Sequence, residues 1–456
     1  RVPYAESNYG LDTDGLDFNT YDWDLSPMIL RLGFHWARTL SSEVLEDVGQ
    51  VFDWRKMSAE EGWRAGELWV TNLKRHGFGI LGGLFPRAKY GTHSPAPCPP
   101  KTDAEYADYE ANLREIMARF GDRIDHWEVA NEPWWLTCTP ENYGRTIQTV
   151  VRVLREADPG AQIISLAGAA NGESEWIERA FKAGARDGVA GLSMHYSGYG
   201  GKNDSDTVAR YGQWREWALG GQAQPLQVWD SEEEVRGPSL YPIRVQSATG
   251  LQDLNEPLAY PAVFCRATKV YLCNSAMNVR TFHFNAEYSM DARGFERGFW
   301  ERDGGLKPSM TAGFLAAQMI QTMKGGGFYR TPQGLFGALM HDEQQSVLAV
   351  WSEKYTGTTQ LKLYWDPFDM IDTTPRPIEQ MTNIRDFYRD VDPLKLKVPD
   401  GVKVLDAMTA PVEPEGGEIT VDIYTKYLVV PRAREGELLK ALGAELKLEP
   451  IPQPAG

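Results

Sequence analysis

Two acidic stretches of the chain carry the residue types that acid–base and nucleophilic chemistry require. The first is ANEPW, in which Glu132 stands between Asn131 and Pro133. The second is VWDSEEE, in which Glu232 is the first of three consecutive glutamates. Two carboxyl groups that face each other can act as a proton donor and a nucleophile. Each stretch also has a simpler interpretation, namely a turn with an exposed carboxylate and a solvated acidic run that leaves a strand.

Glu132 is predicted at, or just past, the carboxyl end of a strand. The letters before it, DRIDHWEVA, are typical of a short strand, and Pro133 has no N–H to donate to a β ladder. In a barrel of parallel strands the chemistry lies at that end. Strand alternation in VWDSEEE predicts that Val228, Asp230 and Glu232 share one face.

The rest of the first 310 residues alternates short apolar strands with helices. Strands are predicted over 32–39, 78–86, 123–133, 161–170, 191–200, 225–234 and 278–289. Helices are predicted over 66–77, 102–121, 140–160, 174–188, 206–221 and 260–274. Thr102 and Glu105 form a capping-box pattern, and Gly121 closes that helix. An eighth strand is expected within residues 1–12 or partly outside the chain.

Repeated β–α units predict the α/β fold class, a (β/α)8 TIM barrel over residues 1–310. Short β runs follow and predict a C-terminal antiparallel β-sandwich over 311–435, then a helix and tail over 436–456. By this count Glu132 and Glu232 end strands that lie three positions apart. Such strands face each other across the mouth of an eight-stranded barrel, so the two carboxyl groups are expected to converge.

The two glutamate motifs together resemble the (β/α)8 retaining glycoside hydrolases of clan A. The resemblance covers roughly residues 31–289 and is closest to the β-xylosidase/α-iduronidase branch and its relatives. It implies that Glu132 is the acid/base at the end of the fourth strand and that Glu232 is the nucleophile at the end of the seventh. Ala130 stands where an aromatic residue is usual, and Glu233 or Glu234 remains an alternative nucleophile.

Further site residues follow from the same resemblance. LGFHWART, followed by VFDWRKM, implies that Arg38 lies near the nucleophile, and Asn131 matches the residue that bonds the sugar 2-hydroxyl. MHYSGY implies that His195 and Tyr196 line the site. The alternatives are an Arg38 that pairs with a surface acid and a His195 that belongs to the core.

Aromatic residues near the two motifs have two interpretations. Trp134 and Trp135 are either platforms for sugar rings or core residues. The eighth strand, TFHFNAEYS, lacks the tryptophan that is usual in the clan, so Phe284 or Trp300 is a candidate substitute. Glu128, in the middle of its strand, is predicted to be a buried and paired carboxylate rather than a catalytic one.

The resemblance also implies a double-displacement mechanism. Glu232 must be ionised to attack the anomeric carbon, and the charge of Arg38 would keep it so. Glu132 must begin protonated, give its proton to the leaving oxygen, and then act as the base for water. No metal and no organic cofactor is expected, so the predicted catalytic machinery consists of side chains alone.

Charge and hydropathy argue against nucleic-acid and membrane partners, and the resemblance implies a carbohydrate substrate. The net charge of −16 excludes the basic footprint of a nucleic-acid protein and disfavours anionic membranes. No apolar run approaches the roughly 20 residues that span a bilayer. The chain starts at Arg1 without an initiator Met, which is consistent with a processed or trimmed form. A secreted or periplasmic location is expected in preference to a cytoplasmic one. Neither the sugar nor the oligomeric state has a signal in the sequence.

The four cysteines form no CxxC pair, which argues against structural zinc. Cys265 and Cys273 are predicted on one helix, about 12 Å apart at 1.5 Å per residue, too far for a disulfide. Cys98 and Cys138 lie in Pro-rich loops and are either a disulfide or two free thiols.

Two rival classes remain to be weighed. A metal-dependent barrel hydrolase would need His/Asp clusters at strand ends, and the chain has seven histidines and no HxH motif. A non-catalytic sugar-binding barrel would bind without turnover, and the presence of both Glu132 and Glu232 argues against it.

Overall fold

The computed structural model describes residues 3–12, 26–40, 59–84, 100–133, 138–168, 174–195, 204–220, 224–233, 243–247, 250–254, 260–283, 289–290, 296–297, 310–352 and 393–454. Within these ranges no helix combines the length and apolar character that a membrane crossing requires.

The secondary structure falls into a parallel β/α part and an antiparallel part. The strands are, in chain order, β1 (Tyr9–Asp12), β2 (Trp36–Leu40), β3 (Gly79–Leu84), β4 (His126–Val129), β5 (Ile163–Ser165), β6 (Gly191–His195), β7 (Gln227–Glu233), β8 (Ile243–Ser247), β9 (Gly250–Leu254), β10 (Val279–His283), β11 (Ser289–Met290), β12 (Glu296–Arg297), β13 (Lys324–Arg330), β14 (Phe336–His341), β15 (Gln345–Trp351), β16 (Leu394–Lys397), β17 (Lys403–Leu405), β18 (Glu418–Val421), β19 (Lys426–Pro431) and β20 (Glu445–Leu448). The helices are α1 (Ser26–Arg31), α2 (Ala59–His76), α3 (Asp103–Phe120), α4 (Pro140–Ala157), α5 (Ser174–Lys182), α6 (Asp204–Leu219), α7 (Tyr260–Ala276), α8 (Thr311–Ile320) and α9 (Glu435–Leu442), with 3-10 turns at Tyr4–Glu6 and Arg432–Arg434.

Eight parallel strands form a closed barrel in the order β1-β10-β7-β6-β5-β4-β3-β2. The eighth strand predicted near the start of the chain is β1, which pairs with β10 on one side and β2 on the other. Strand β4 lies three positions from β7 around the barrel. The ends of these two strands therefore face each other, as the count of strands from the sequence predicted.

Local sequence signals set the helix ends. At the start of α3, the side chain of Thr102 accepts from the backbone N–H of Glu105, and the Glu105 side chain accepts from the Thr102 N–H. This reciprocal pair is the predicted capping box, which satisfies two otherwise unpaired donors. Helix α4 begins in the same way, with Thr139 as its cap and Pro140 in its first turn. Cys265 and Cys273 both lie within α7, as predicted.

The core has two layers around the strands. One cluster fills the barrel interior and consists of Trp36, Leu81, Ile164, Trp229 and Phe282. A larger cluster lies between the strands and the surrounding helices and continues into the second part of the chain. The large rings of the inner cluster pack edge to face or stacked, which fills the barrel as a solid core.

The second part of the chain is a six-stranded antiparallel sheet in the order β17-β19-β15-β14-β13-β20. The pair β16 and β18 forms a separate two-stranded sheet. Leu396 and Ile419 from this pair join Leu348 and Leu428 of the large sheet in one buried cluster. Two sheets therefore pack face to face around an apolar core, as the predicted sandwich requires. Within the predicted sandwich, residues 353–392 lie outside the described part of the chain.

Two elements lie across the predicted domain limits. Helix α8 follows residue 310, yet the Gln321 carbonyl at its end accepts from Asn8 N (2.8 Å), and Gln321 Oε1 lies 3.0 Å from His35 Nε2. Strand β20 lies in the predicted tail, yet it pairs with β13 of the large sheet. The domain limits remain a prediction, and these contacts favour a barrel that extends to Ile320.

Candidate active site

Arg38 lies at the centre of the barrel mouth with its guanidinium wholly buried. Its Nε donates to Glu128 Oε2 (2.6 Å), and its Nη1 donates to Glu232 Oε2 (3.3 Å). Its Nη2 donates to Asn131 Oδ1 (2.7 Å). The planar fork of arginine suits such a set of acceptors, since each nitrogen points in a fixed direction. Arg38, itself in β2, thus joins β4 and the segment directly after it to β7.

Glu128 is the buried partner of Arg38 rather than a group at the mouth. It lies in β4 with no exposed surface. Burial is the largest single influence and works to raise the pKa of Glu128, but Arg38, together with His195 and the hydroxyls of Ser231 and Ser193, outweighs it and holds the pKa below its usual value. Glu128 is therefore an ionised carboxylate that balances the arginine, in agreement with the prediction that it is buried and paired.

His195 lies between the two candidate catalytic carboxyl groups. Its Nδ1 is 3.2 Å from Glu132 Oε1 and 3.2 Å from Glu232 Oε2. Its Nε2 is 3.1 Å from Ser231 Oγ. The ring is fully buried at the end of β6. His195 therefore faces the site rather than the apolar core, and it fixes the relative placement of the two glutamates.

The side chains of Glu132 and Glu232 approach each other from opposite sides of the barrel. One carboxylate oxygen from each, together with a ring nitrogen of His195, forms a group whose atoms all lie within 4.8 Å of one another. The Glu132 side chain is 19% exposed and that of Glu232 is 8% exposed. A substrate that enters the mouth would therefore meet Glu132 first and Glu232 deeper in the site.

Strand β7 contains a bulge at the position that supplies Glu232. Met194 pairs with Asp230, but the next residue of β6, His195, pairs with Glu232. Ser231 is therefore an extra residue in β7, and a bulge of this kind turns two successive side chains toward the same side. Ser231 Oγ contacts His195, and Glu232 reaches the buried guanidinium, so both point into the barrel.

The bulge corrects one prediction. Alternation predicted Val228, Asp230 and Glu232 on one face, and this is wrong for Glu232. Asp230 points outward and accepts from Asn274 Nδ2 of α7 (3.0 Å), whereas Glu232 points inward. The extra residue between them breaks the period of two on which the prediction rested.

Glu233 lies on the outward side with Asp230. Both residues are fully buried, and burial together with the adjacent Glu233 raises the pKa of Asp230 well above its ordinary value. Two neighbouring buried carboxyl groups of this kind hold one proton between them. Glu232, by contrast, faces Arg38 and His195. The third glutamate of the run, Glu234, lies outside the described residues.

The backbone around Glu132 adopts an unusual conformation. Ala130 has φ of 68° and Glu132 has φ of 42°. The neighbouring segment after β5 does the same, with φ of 74° at Leu166 and 30° at Ala167. The Glu132 N–H donates to the Ala167 carbonyl (2.6 Å), which ties the two turns together. Left-handed backbone in non-glycine residues costs energy and is concentrated at functional sites.

Several predicted residues lie outside the described part of the chain. These are Trp134, Trp135, Tyr196, Phe284 and Trp300. Their roles as sugar platforms or site walls stay predictions. Cys98 also lies there, so the choice between a disulfide with Cys138 and two thiols stays open.

The same three side chains could hold a divalent cation. Carboxylate oxygens and an imidazole nitrogen are ordinary ligands of zinc and manganese, and Glu132, His195 and Glu232 present one of each within 4.8 Å. No HxH spacing marks this group in the sequence, because Glu132 follows β4, whereas His195 and Glu232 lie in β6 and β7. A paired-carboxylate site and a metal site therefore share one geometry here.

No protein-family model matches the chain, and no curated protein matches it. Solved structures do resemble it. A family 39 glycoside hydrolase from the gut symbiont Bacteroides cellulosilyticus WH2 has a TM-score of 0.61 at 16% identity, over 94% of this chain and 82% of that chain. BuGH86E322Q in complex with neoagarooctaose has a TM-score of 0.52 at 10% identity, over 94% of this chain and 75% of that chain.

These likenesses define a class by its fold. The chain shares its fold with these two proteins: a closed (β/α)8 barrel that continues into an antiparallel β domain. The predicted fold class is therefore confirmed. Identities of 16% and 10% carry no information about the substrate. The chemistry must come from the site itself.

Proposed function

We propose that the protein is a retaining glycoside hydrolase that cleaves a bond in an oligosaccharide or polysaccharide, with Glu132 as acid/base and Glu232 as nucleophile. The supporting observation is the approach of one oxygen of each carboxyl group to within 4.8 Å at the barrel mouth. Retaining enzymes hold the two carboxyl groups about 5–5.5 Å apart, whereas inverting enzymes need about 6.5–9.5 Å to admit a water. The separation favours attack by a carboxylate over attack by water.

Glu232 has the surroundings of a nucleophile. Arg38 donates to its Oε2 and also to the ionised Glu128. The positive charge stabilises Glu232 as a carboxylate, ready to attack the anomeric carbon. The bond to the leaving oxygen breaks as the bond from Glu232 Oε2 or its twin oxygen forms.

Glu132 has the surroundings of an acid/base. It is the more exposed of the two carboxyl groups, so it can exchange protons with the leaving group and with water. It gives its proton to the leaving oxygen in the first step. In the second step it takes a proton from the water that attacks the glycosyl–Glu232 ester. The negative charge on Glu232 disappears in between, which favours this change of role.

The test is hydrolysis of aryl α- and β-glycosides and of plant and bacterial polysaccharides by wild type, Glu232→Gln and Glu233→Gln. Glu232→Gln should lose about 10³-fold or more in kcat because it removes the attacking oxygen. Glu233→Gln is the matched control, since Gln replaces a buried carboxyl of similar shape on the outward side. Proton NMR of the first-formed product should show retained anomeric configuration.

The alternatives give different results. A large loss in Glu233→Gln with an active Glu232→Gln would contradict the assignment of the nucleophile. Sugar binding without turnover by the wild type would favour the non-catalytic barrel. Loss of activity in EDTA that zinc or manganese restores would instead make Glu132, His195 and Glu232 metal ligands. For a retaining hydrolase we expect EDTA to leave the rate unchanged.

A further inference from the structure

Tyr143 of α4 places its hydroxyl group between the ends of two barrel strands. The side chain is fully buried. Its Oη donates to the carbonyl of Val129, the last residue of β4 (3.0 Å), and accepts from the N–H of Leu166, the first residue after β5 (2.8 Å). Burial raises the pKa of Tyr143 well above its ordinary value, so the hydroxyl keeps its proton and can donate.

The strand register shows what the hydroxyl replaces. Trp127 pairs with Ile163, and its N–H donates to the Gln162 carbonyl (2.8 Å). If this parallel ladder continued, its next bond would join the Val129 carbonyl directly to the Leu166 N–H. The Tyr143 hydroxyl occupies that place and satisfies both groups. The described pairing of β4 with β5 accordingly ends at Glu128.

The opening of this ladder comes just before the residues with unusual backbone. Ala130 and Glu132 follow Val129, and Ala167 follows Leu166. All three have positive φ, and the Glu132 N–H donates to the Ala167 carbonyl (2.6 Å). A closed ladder would bring β4 and β5 together at this point. The gap that the hydroxyl maintains therefore sets the position of the turn that carries Glu132.

We propose that Tyr143 is a positioning residue for the acid/base: its hydroxyl holds β4 and β5 apart and so directs the Glu132 carboxyl toward Glu232. This inference rests on the proposed function for its kinetic consequence. Without the hydroxyl, either the ladder closes directly or two buried backbone groups lose their partner. In both cases the turn that carries Glu132 moves, and a displacement of about 1 Å can cost about 10²-fold in rate.

The experiment compares Tyr143→Phe with Tyr9→Phe. Tyr9 is also fully buried, and its Oη lies 3.2 Å from the Tyr271 carbonyl and 2.5 Å from Ser275 Oγ, away from β4 and β5. Both variants lose a buried hydroxyl with two partners, so a similar fall in Tm is expected. Only Tyr143→Phe should disturb the acid/base.

Two substrates of the sugar that the wild type accepts separate positioning from general damage. The leaving group of a 2,4-dinitrophenyl glycoside departs with little help from an acid, whereas that of an alkyl glycoside or disaccharide needs the proton from Glu132. Tyr143→Phe should lower kcat/KM for the second kind by about 10²-fold and leave the first within a few-fold. Equal losses on both substrates would overturn the proposal.

A double variant and a crystal structure complete the test. In the Glu132→Ala background, Tyr143→Phe should not lower kcat/KM further for the alkyl glycoside or disaccharide, because both changes remove the same function, proton donation by Glu132. Crystal structures of wild type and Tyr143→Phe should show a displaced Glu132 carboxyl. An unmoved carboxyl would overturn the positioning role. If the wild type hydrolyses no glycoside, the proposed function fails by itself, and the displacement still decides the role of Tyr143.

Discussion

A single positive charge serves three acceptors at the centre of the site. Arg38 bonds Glu128, Glu232 and Asn131, and its guanidinium has no contact with solvent. Removing one member of a buried ion pair leaves an uncompensated charge, which is costly. At the scale of residues, therefore, we expect Glu128 to stabilise the fold, whereas Glu232 is the proposed nucleophile, although both accept from the same arginine.

The pH dependence of the free energy of unfolding of Glu128→Gln should show that Glu128 stabilises the fold as a carboxylate. The pKa of Glu128 is lowered in the folded protein, so its carboxylate contributes stability above the unfolded pKa of about 4.3 and loses it as pH falls through the folded value. We expect the variant to lose about 3 kcal/mol of unfolding free energy at pH 7. The difference from wild type should shrink toward pH 3. Urea unfolding across this range measures it.

Glu156→Gln is the control for this prediction. Glu156 also pairs with arginines, Arg114 and Arg152, but on the exposed surface of α4. Solvent screens such pairs, so their loss should change stability far less. A difference between Glu128→Gln and wild type that stays constant from pH 7 to pH 3 would contradict an ionised Glu128.

At the scale of elements, the turn after β5 supports the imidazole at the centre of the site. Gly168 has φ of 93°, and a Cβ atom there would lie 2.3 Å from His195 Nδ1. The backbone of this turn is thus packed against the ring. Any side chain at 168 must displace His195, which contacts both candidate catalytic glutamates.

Gly168→Ala should therefore lower kcat by about 10²-fold, because the displaced His195 would change the relative positions of the two carboxyl groups. Gly334→Ala is the matched control: its φ is 96°, and no described atom lies within 4 Å of the added Cβ. Both variants strain the backbone equally. Steady-state kinetics and Tm of the two variants measure the difference, and equal activity in both would contradict the role of the turn.

The sequence predicted most barrel elements because their patterns are local. Strand β3 and helix α3 match the predicted ranges closely, since apolar runs and the Thr102 cap mark them. Strand β13 escaped prediction because KGGGFYR is rich in glycine, which is disfavoured in strands. Gly325 is needed there because a Cβ would lie 2.3 Å from the Ala276 carbonyl of α7. Only the assembled fold reveals that contact.

Site residues that belong to a sequence motif could be predicted. The direction of a side chain could not be predicted where it depends on the hydrogen-bonding register of two strands. Glu132, Asn131 and Arg38 follow from sequence patterns, and the structure brings them together. The inward turn of Glu232 depends on a bulge, which needs the register of β6 against β7. Tyr143 has the pattern of an ordinary core residue of α4, and nothing in its spacing indicates a hydroxyl inserted between strands.

At the scale of the whole molecule, Asn278 joins the barrel to the last part of the chain. It precedes β10 with φ of 59°. Its Nδ2 donates to the Ile451 carbonyl (2.9 Å), and its Oδ1 accepts from the N–H of Gly325 in β13 (2.6 Å). Ile451 itself is fully buried. One side chain thus links a barrel strand, the antiparallel sheet and the C-terminal segment.

Asn278→Gly should lower the free energy of unfolding by about 2 kcal/mol, since it removes two part-buried hydrogen bonds of about 1 kcal/mol each. Glycine accepts the left-handed backbone, so strain does not contribute. Thr409→Gly is the control, because Thr409 has φ of 60°. Its replacement should change stability by less than about 1 kcal/mol. Denaturant unfolding of both variants tests this, and an unchanged Asn278→Gly would contradict the link.

The pairing of Tyr9 with Thr281 and the burial of Ile451 also impose an order on folding during synthesis. Translation proceeds from the amino terminus, so β1 waits for β10 to leave the ribosome before the barrel can close. Until then the growing chain exposes unpaired strand edges, which are sites of aggregation. The segment around Ile451 emerges later than both of these strands. A chaperone that shields β1 during this interval would raise the yield of folded protein more than one that acts after release.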